Sequence, residues 1–411
     1  MPSHFDRLET RSPEKREAED FRTLRALLTD RISKAPALKK QLRGIDIRSL
    51  KNRAALGVVP VFRKSDLLAL QKEKPPFAGL AATKTGALKR LLMSPGPIFD
   101  PEGHAGDWWG AGRAFFAGGM RKGDVVLNTF SYHFTPGGFI FESGAHAIGA
   151  AVIPAGPGQT EQQLDAIEAL CPNAYAGTPD FLKILIEKAI EAGRPVTSIR
   201  KAMVSGAAFP PSLQAFVKEQ GIAACQCYAT ADLGIVAYES LGQPGLIINE
   251  GLIVEIVKPG TNEALPEGEV GEIVVTRLNA DYPLLRFGTG DLSKIIPGRS
   301  PCGRTNQRLA GWMGRADQRT KVKGMFVDPA QIEAVRKAHP GLGRLRLVVM
   351  RKNEQDTMTL RAESGEASPS LASALAASLQ TQTRLRGEVE LVEPGSLPND
   401  GKIIADERPI G

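Results

Sequence analysis

The sequence predicts an α/β protein: a large, multi-part N-terminal domain with mostly parallel sheets and a β-rich piece, then a small α+β C-terminal lid domain. Three observations carry this. From Asp124 to Ile235 short apolar strands alternate with helical periodicities, the pattern of a parallel sheet covered by helices. The pattern then changes to strands joined by Pro/Gly-rich turns. Beyond Gly314 helix and strand signals mix again. The 411 residues leave room for two or three domains.

Taken in order, Ser12 can cap a helix whose first turn holds Pro13, and Phe21, Leu24, Leu28 and Ile32 then recur at helical spacing. Pro60, Pro75 and Pro76 mark irregular chain. Val125–Leu127, Ala151–Pro154, Ala202–Ser205 and Ile222–Tyr228 read as short strands. Between them, Thr160–Leu170 opens with a capping pattern, Thr160 and Gln163, and buries Leu164 and Ile167; Thr178–Pro179 opens another helix that runs through Ile190. Ile253–Val257 and Glu272–Arg277 are the strands of the β-rich piece. Asp328–Pro329–Ala330–Gln331 starts a helix, Leu345–Met350 and Val389–Val392 are strands, a helix lies near Ser370–Thr381, and Ala362–Ser370 is a polar loop. A boundary is expected near Ala316–Gln318, dividing the chain into 1–316 and 317–411.

Composition narrows the function. Apolar residues make up 42% and charged residues 24%, which excludes disorder as the main theme. The most apolar stretch, Gly137–Gly156, is interrupted by Glu142 and His146, so no membrane span is expected. Met1–Phe21 is charged and lacks an apolar core, and four Cys cannot build a disulfide framework; both point to a reducing cytoplasm. Between Pro283 and Lys323 nine basic residues face only Asp291 and Asp317, as large an excess as the +7 of the whole chain. Such a field attracts a nucleotide, coenzyme A or nucleic acid, although a solvated surface has the same composition. Nucleic acid is the least favoured, because no aromatics interleave with the basic residues.

Several short motifs carry chemistry. In Phe287–Gly288–Thr289–Gly290–Asp291 a carboxylate follows a Gly-rich turn, where it can accept hydrogen bonds from both hydroxyls of a ribose. Upstream, Leu265–Val275 is a turn feeding a strand, and Tyr228–Ala229–Thr230–Ala231–Asp232 follows a predicted strand. Gly314–Arg315–Ala316–Asp317 sits at the expected boundary and Asp400–Gly401–Lys402–Ile403 near the C-terminus. Each motif is weak alone. In this order and spacing the chain resembles the adenylate-forming, or AMP-binding, enzymes, and among them the phenylacetate–CoA ligase group. The resemblance runs from Phe5–Thr10 through Pro60–Asp66 to Lys402.

That resemblance implies an ATP-dependent acyl- or aryl-CoA ligase. A carboxylic acid reacts with MgATP to give an acyl-adenylate and pyrophosphate; the small domain rotates, and the thiol of coenzyme A takes the acyl group. It implies that Gly206, Ala207 and Ala208 frame adenine with Tyr228, and that Ala229, Thr230 and Ala231 lie by the α-phosphate. Asp232 stands where the family has a magnesium-binding Glu. Asp291 would hold the ribose with help from Arg315, Asp317 would be the hinge, and Lys402 would act in adenylation. Tyr132, Phe134, Gly137 and Gly138 would line the acyl pocket. The partners implied are a small carboxylic acid and coenzyme A, without nucleic acid or membrane, and a homodimer is left open.

The chain also departs from the pattern. The family's phosphate loop corresponds to Ser94–Pro101. Pro95 and Pro97 remove two N–H donors there, and Asp100 puts a negative charge where a lysine is expected. The positions of a structural zinc found in many relatives correspond to Ser240, Ile247, Ser300 and Cys302, and one thiolate cannot make a tetrahedral site, so no zinc is expected. Two alternatives follow: a catalytically degenerate relative that binds a nucleotide or coenzyme A, or an adenylating enzyme with another acyl acceptor.

Overall fold

The computed structural model describes residues 3–194, 196–316, 318–352, 355–398 and 402–408. The chain divides into two compact units, one ending at Trp312 and the other beginning at Met313. The first is organised by a nine-stranded sheet. Its strands Ala151–Pro154, Val125–Asn128, Ala174–Gly177, Lys201–Val204 and Ala223–Thr230 are mutually parallel. Beyond Ala223–Thr230 the sheet turns antiparallel through Gly234–Tyr238, Leu246–Ile248, Arg308–Leu309 and Ile295–Ile296. A second, four-stranded sheet joins Phe62–Arg63, Leu284–Ser293, Gly271–Arg277 and Leu252–Val257.

The helix Pro13–Arg31 forms as its sequence dictates: the Ser12 hydroxyl accepts from the Lys15 N–H at 3.2 Å. Its apolar stripe, Phe21, Leu24 and Leu28, packs with Leu38, Leu50, Val59, Ile253 and Leu285 against the second sheet. Helix Thr160–Leu170 has the expected bounds, but its start differs from the predicted cap. Gln159, at φ 54°, is the capping residue and no side chain caps it. Gln163 instead reaches back to the carbonyls of Gly156 and Gly158 at 2.8 and 2.7 Å, so it anchors the incoming loop from inside the helix. At Thr178 the predicted cap is present: its hydroxyl accepts from the Phe181 N–H.

The segment corresponding to the phosphate loop is a β-hairpin, Arg90–Ser94 paired antiparallel with Ile98–Glu102, and Asp100 lies opposite Leu92. The alternation along its second strand turns Phe99 outward and Asp100 inward.

The second unit has a four-stranded sheet in the order Glu388–Val392, Gln355–Glu363, Leu345–Lys352, Ile404–Asp406, with helices Pro329–Ala338 and Pro369–Thr383. Asp328 and Gln331 form the reciprocal capping box that the sequence suggests. Its core joins Ile332 and Val335 to Leu347, Leu360, Leu375 and Leu379. No helix among the described residues is long and apolar enough to cross a membrane.

Candidate functional site

In an open α/β sheet, ligands bind where the strands' carboxyl ends and their loops converge. Because five strands here run parallel, the segments that follow them emerge at one edge: Thr129–Pro136, Thr178, Ser205–Ala208 and Tyr228–Asp232. Gly206 takes a positive φ of 78°, which an L side chain resists, and this turns the chain so that Gly206 and Ala207 are exposed. Ser205 fixes the turn by donating its hydroxyl to the Cys227 carbonyl at 2.7 Å. The Thr230 hydroxyl accepts from the Leu233 N–H and closes the turn that leads through Ala231 and Asp232.

Asp291 comes to this edge from the second sheet. The Tyr228 hydroxyl donates to Asp291 Oδ2 at 2.7 Å, and the Trp312 indole N–H donates to Oδ1 at 3.1 Å. A donor on each oxygen fixes the rotation of the carboxylate. Tyr228 and Asp291 are thus brought together as the sequence motifs imply. Trp312 is an addition that no motif signalled.

Lys64, the first residue of helix Lys64–Glu73, places its ammonium 2.5 Å from Asp232 Oδ2. The Asp232 side chain is fully buried, while that of Lys64 is 25% exposed. Arg277, also buried, donates to the Asp232 carbonyl at 2.9 Å. Asp100 points into the same place. It is wholly buried, and neither of its carboxyl oxygens has a hydrogen-bond partner; Asp232 Oδ1 is unpartnered too. Burial first, and then the charge of Asp232, push the Asp100 carboxyl well above the usual carboxylate range, with Lys64 opposing. Burial pulls the Lys64 ammonium down, but Asp232 and Asp100 outweigh it and leave it above its ordinary value. Sequence reasoning used Lys64 as part of a resemblance and gave it no role. The orphaned oxygens fit a hard cation such as magnesium, which binds oxygen and often uses only one or two carboxylates. No group of three or more His, Cys, Asp or Glu suited to a metal occurs among the described residues.

The acyl-pocket candidates fall in one loop and the helix it feeds. The Tyr132 ring covers Gly138 so closely that a Cβ there would lie 2.8 Å from ring carbons. Asn128 donates to the Tyr132 hydroxyl at 2.7 Å, and Phe139 meets the Tyr132 ring edge-on at 5.1 Å. Gly137 starts the helix Gly137–Ala147 beside Phe130. Phe134 has φ 56° and is 70% exposed; its carbonyl, not its ring, makes the local contact, accepting from Met93 of the hairpin at 2.8 Å.

Arg315 and Lys402 belong to the second unit, where Lys402 is exposed and lines an open cleft of about 580 Å³ with Arg336, Arg344 and Arg346. Asp317, the expected hinge, and Asn399–Gly401, which precede Lys402, lie outside the described residues.

At the positions compared with a zinc site, Arg304 donates to Ser240 Oγ at 3.2 Å and to Cys302 Sγ at 3.7 Å, Ser300 Oγ lies 3.1 Å from Cys302 Sγ, and Ile247 is in the core. Arg304 also binds Glu9, which accepts from the Tyr238 hydroxyl. A guanidinium-centred network therefore joins the N-terminal segment to the sheet here.

Comparison with known proteins defines the class. The profile of the AMP-binding enzyme family matches residues 106–279, and that of the AMP-binding enzyme C-terminal domain matches 324–408. The chain belongs to the AMP-binding enzyme superfamily. Within it, the chain is similar to the phenylacetate-coenzyme A ligase of Thermus thermophilus, 29% identical over 377 residues that cover 87% of this chain and 84% of the relative. It is 27% identical to that of Aromatoleum evansii over 396 residues, 89% of this chain and 88% of the relative. A crystal structure of 2-hydroxyisobutyryl-CoA ligase, in complex with 2-HIB-AMP and CoA, shares the fold with a TM-score of 0.81 at 23% identity, covering 100% of this chain and 93% of that one.

Proposed function

We propose that this chain is an AMP-forming acid–thiol ligase that activates a small carboxylic acid with ATP and passes the acyl group to coenzyme A. The observation that carries it is Asp291, oriented by Tyr228 and Trp312 at the carboxyl edge of the parallel strands, where a carboxylate can accept from both ribose hydroxyls. Gly206–Ala208 and Tyr228 border the base, and Ala229–Thr230 lead the backbone to the α-phosphate. Attack of the carboxylate on that phosphorus places negative charge on the phosphoryl oxygens and the departing pyrophosphate. Preorganised cations stabilise such charge best where water is excluded. Lys64, held by Asp232, is one such cation. Lys402 is the second, brought by one orientation of the C-terminal domain as it pivots at Asp317, and Arg315 supports the ribose. Asp232, with Asp100 beside it, would hold magnesium, which when bound supplies charge neutralisation at the phosphates. Tyr132 over Gly138, with Phe139 beside it, gives an aromatic surface that suits an aryl acid, the substrate class in the names of the phenylacetate-coenzyme A ligase relatives.

One observation favours a second reading. Asp100, a buried carboxyl group at the position compared with the family's loop lysine, leaves the phosphate end without that positive charge, as in a relative that binds nucleotide without turning it over. A panel of aryl and alkyl acids, assayed for pyrophosphate release from ATP with and without coenzyme A, separates the readings. Acid-dependent release with thioester formation supports the ligase. AMP binding without release from any acid supports the second reading, and release without thioester points to another acceptor.

A further inference from the structure

Among the described residues, Leu397, Pro398 and Lys402 are each held through their backbone by side chains from elsewhere in the unit. Arg344 Nη1 donates to the Leu397 carbonyl at 2.6 Å, and Glu363 Oε1 accepts from the Leu397 N–H at 2.9 Å. Arg346, buried on strand Leu345–Lys352, donates through Nη2 to the Pro398 carbonyl and through Nε to the Lys402 carbonyl, both at 3.1 Å. From another part of the unit, Gln318 Oε1 accepts from the N–H of Ile403 at 2.6 Å and of Ile404 at 3.3 Å. The single peptide group joining Lys402 to Ile403 is therefore bonded at both ends, its carbonyl by Arg346 and its N–H by Gln318. The side chain of Lys402 itself is exposed. A solvated lysine beside a fraying terminus needs no such support. Gln318 also adopts φ 57°, a conformation that is unfavourable for a non-glycine residue and persists when its surroundings hold it.

We propose that Gln318 and Arg346 are positioning residues: they fix the Lys402–Ile403 peptide and so set the direction in which the Lys402 ammonium is presented. Gln318 directly follows Asp317, so this direction is tied to the chain at the expected pivot. The proposal rests on the reading above in which Lys402 serves adenylation. Neither residue needs to touch substrate; misplacing a reacting group by about 1 Å costs roughly a hundredfold in rate.

The test compares wild type with Gln318→Ala, Gln318→Glu, Arg346→Lys and Lys402→Ala. Two half-reactions are measured: pyrophosphate release from ATP and phenylacetate, or the acid the panel selects, and thioester formation from the pre-made acyl-adenylate and coenzyme A. Gln318→Ala should lower kcat of the first by roughly ten- to a hundredfold with little change in KM for ATP, and spare the second. Gln318→Glu keeps an acceptor at the same reach and should restore the first half-reaction. Arg346→Lys keeps the charge but loses the two-donor fork, and should show the same split as Gln318→Ala. Amide exchange at Ile403 and Ile404, read independently of activity, should quicken in Gln318→Ala and not in Gln318→Glu. The proposal is overturned if Gln318→Ala adenylates normally, if both half-reactions fall together, or if Glu rescues nothing. Lys402→Ala separates the two levels. If it is slow while Gln318→Ala is normal, only the positioning role fails; if it adenylates normally, the assignment of Lys402 fails and the catalytic meaning of the clamp goes with it.

Discussion

The two ends of the proposed nucleotide site are built differently. At the ribose end both carboxylate oxygens of Asp291 are oriented by hydrogen bonds, from Tyr228 and Trp312. At the phosphate end two buried carboxylates, Asp232 and Asp100, share one nearby ammonium, and three of their oxygens are unpartnered. The first end is electrostatically complete before a ligand arrives. The second keeps buried carboxylate oxygens without a hydrogen-bond partner. The difference teaches that the two halves of one site can be held by different means: ribose recognition rests on hydrogen-bond donors that orient a single carboxylate, whereas the phosphate end rests on a buried ion pair between Lys64, at the start of a helix, and Asp232.

Removing Lys64 should have the largest effect. Lys64→Met strands two buried carboxylates, and breaking a buried ion pair from one side costs about 3–5 kcal/mol. Chemical denaturation should show that loss, and Lys64→Met combined with Asp232→Asn should recover most of it. Equal stabilities of Lys64→Met and wild type would mean that the pair carries no weight in the fold. Asp291→Ala comes next. Loss of charge-assisted hydrogen bonds to the ribose, worth about 1.5–3 kcal/mol, should weaken AMP binding roughly tenfold or more by calorimetry, with circular dichroism unchanged. Unaltered affinity would remove Asp291 from the site.

Asp100→Asn should act with the opposite sign and stabilise the protein. The amide can donate to the unpartnered Asp232 Oδ1, relieving about 1–3 kcal/mol of unsatisfied burial. Its pH dependence follows from linkage. The folded-state pKa of Asp100 is raised by burial, so above the ordinary carboxylate range, about pH 4, the native state holds a proton that the unfolded state releases. Wild-type stability therefore falls as pH climbs from there, and the advantage of Asp100→Asn should widen as pH rises above about 4 in metal-free buffer. A constant gap would show that Asp100 titrates as it does in the unfolded chain. The smallest effect concerns zinc. The Arg304 network occupies the compared positions, so dialysed, tag-free protein should contain no stoichiometric zinc; about one zinc per chain would show that the comparison of Ser240, Ile247, Ser300 and Cys302 is misplaced.

What was legible in the sequence follows the same division. Strands with strong apolar runs and helices with side-chain caps were readable: Ala151–Pro154 and the helix opened by Thr178–Pro179 lie where they were expected. Strand Ala174–Gly177 was not, because Ala-Tyr-Ala-Gly has neither alternation nor length. Strand Gln355–Glu363 was hidden because Gln355, Asp356 and Thr357 open it with polar residues on both faces. The hairpin was obscured by Pro95, Pro97 and Pro101, which discourage a strand reading. At the site, Tyr228 and Asp291 announced themselves through motif order. Asp232 did so too, but its pairing with Lys64 could not, since 168 residues separate them and Lys64 alone does not differ from a surface charge. Trp312 gave no signal because a single Trp in a loop reads as packing.

The central claim is that a chain with this altered phosphate end still forms an acyl-adenylate. Exchange of labelled pyrophosphate into ATP, measured across a panel of carboxylic acids, tests it without reference to the final acceptor. The account expects exchange that requires one of the acids and falls by about 10²–10³ in Lys402→Ala. Failure of every acid to support exchange, in protein that still binds AMP through Asp291, would contradict it.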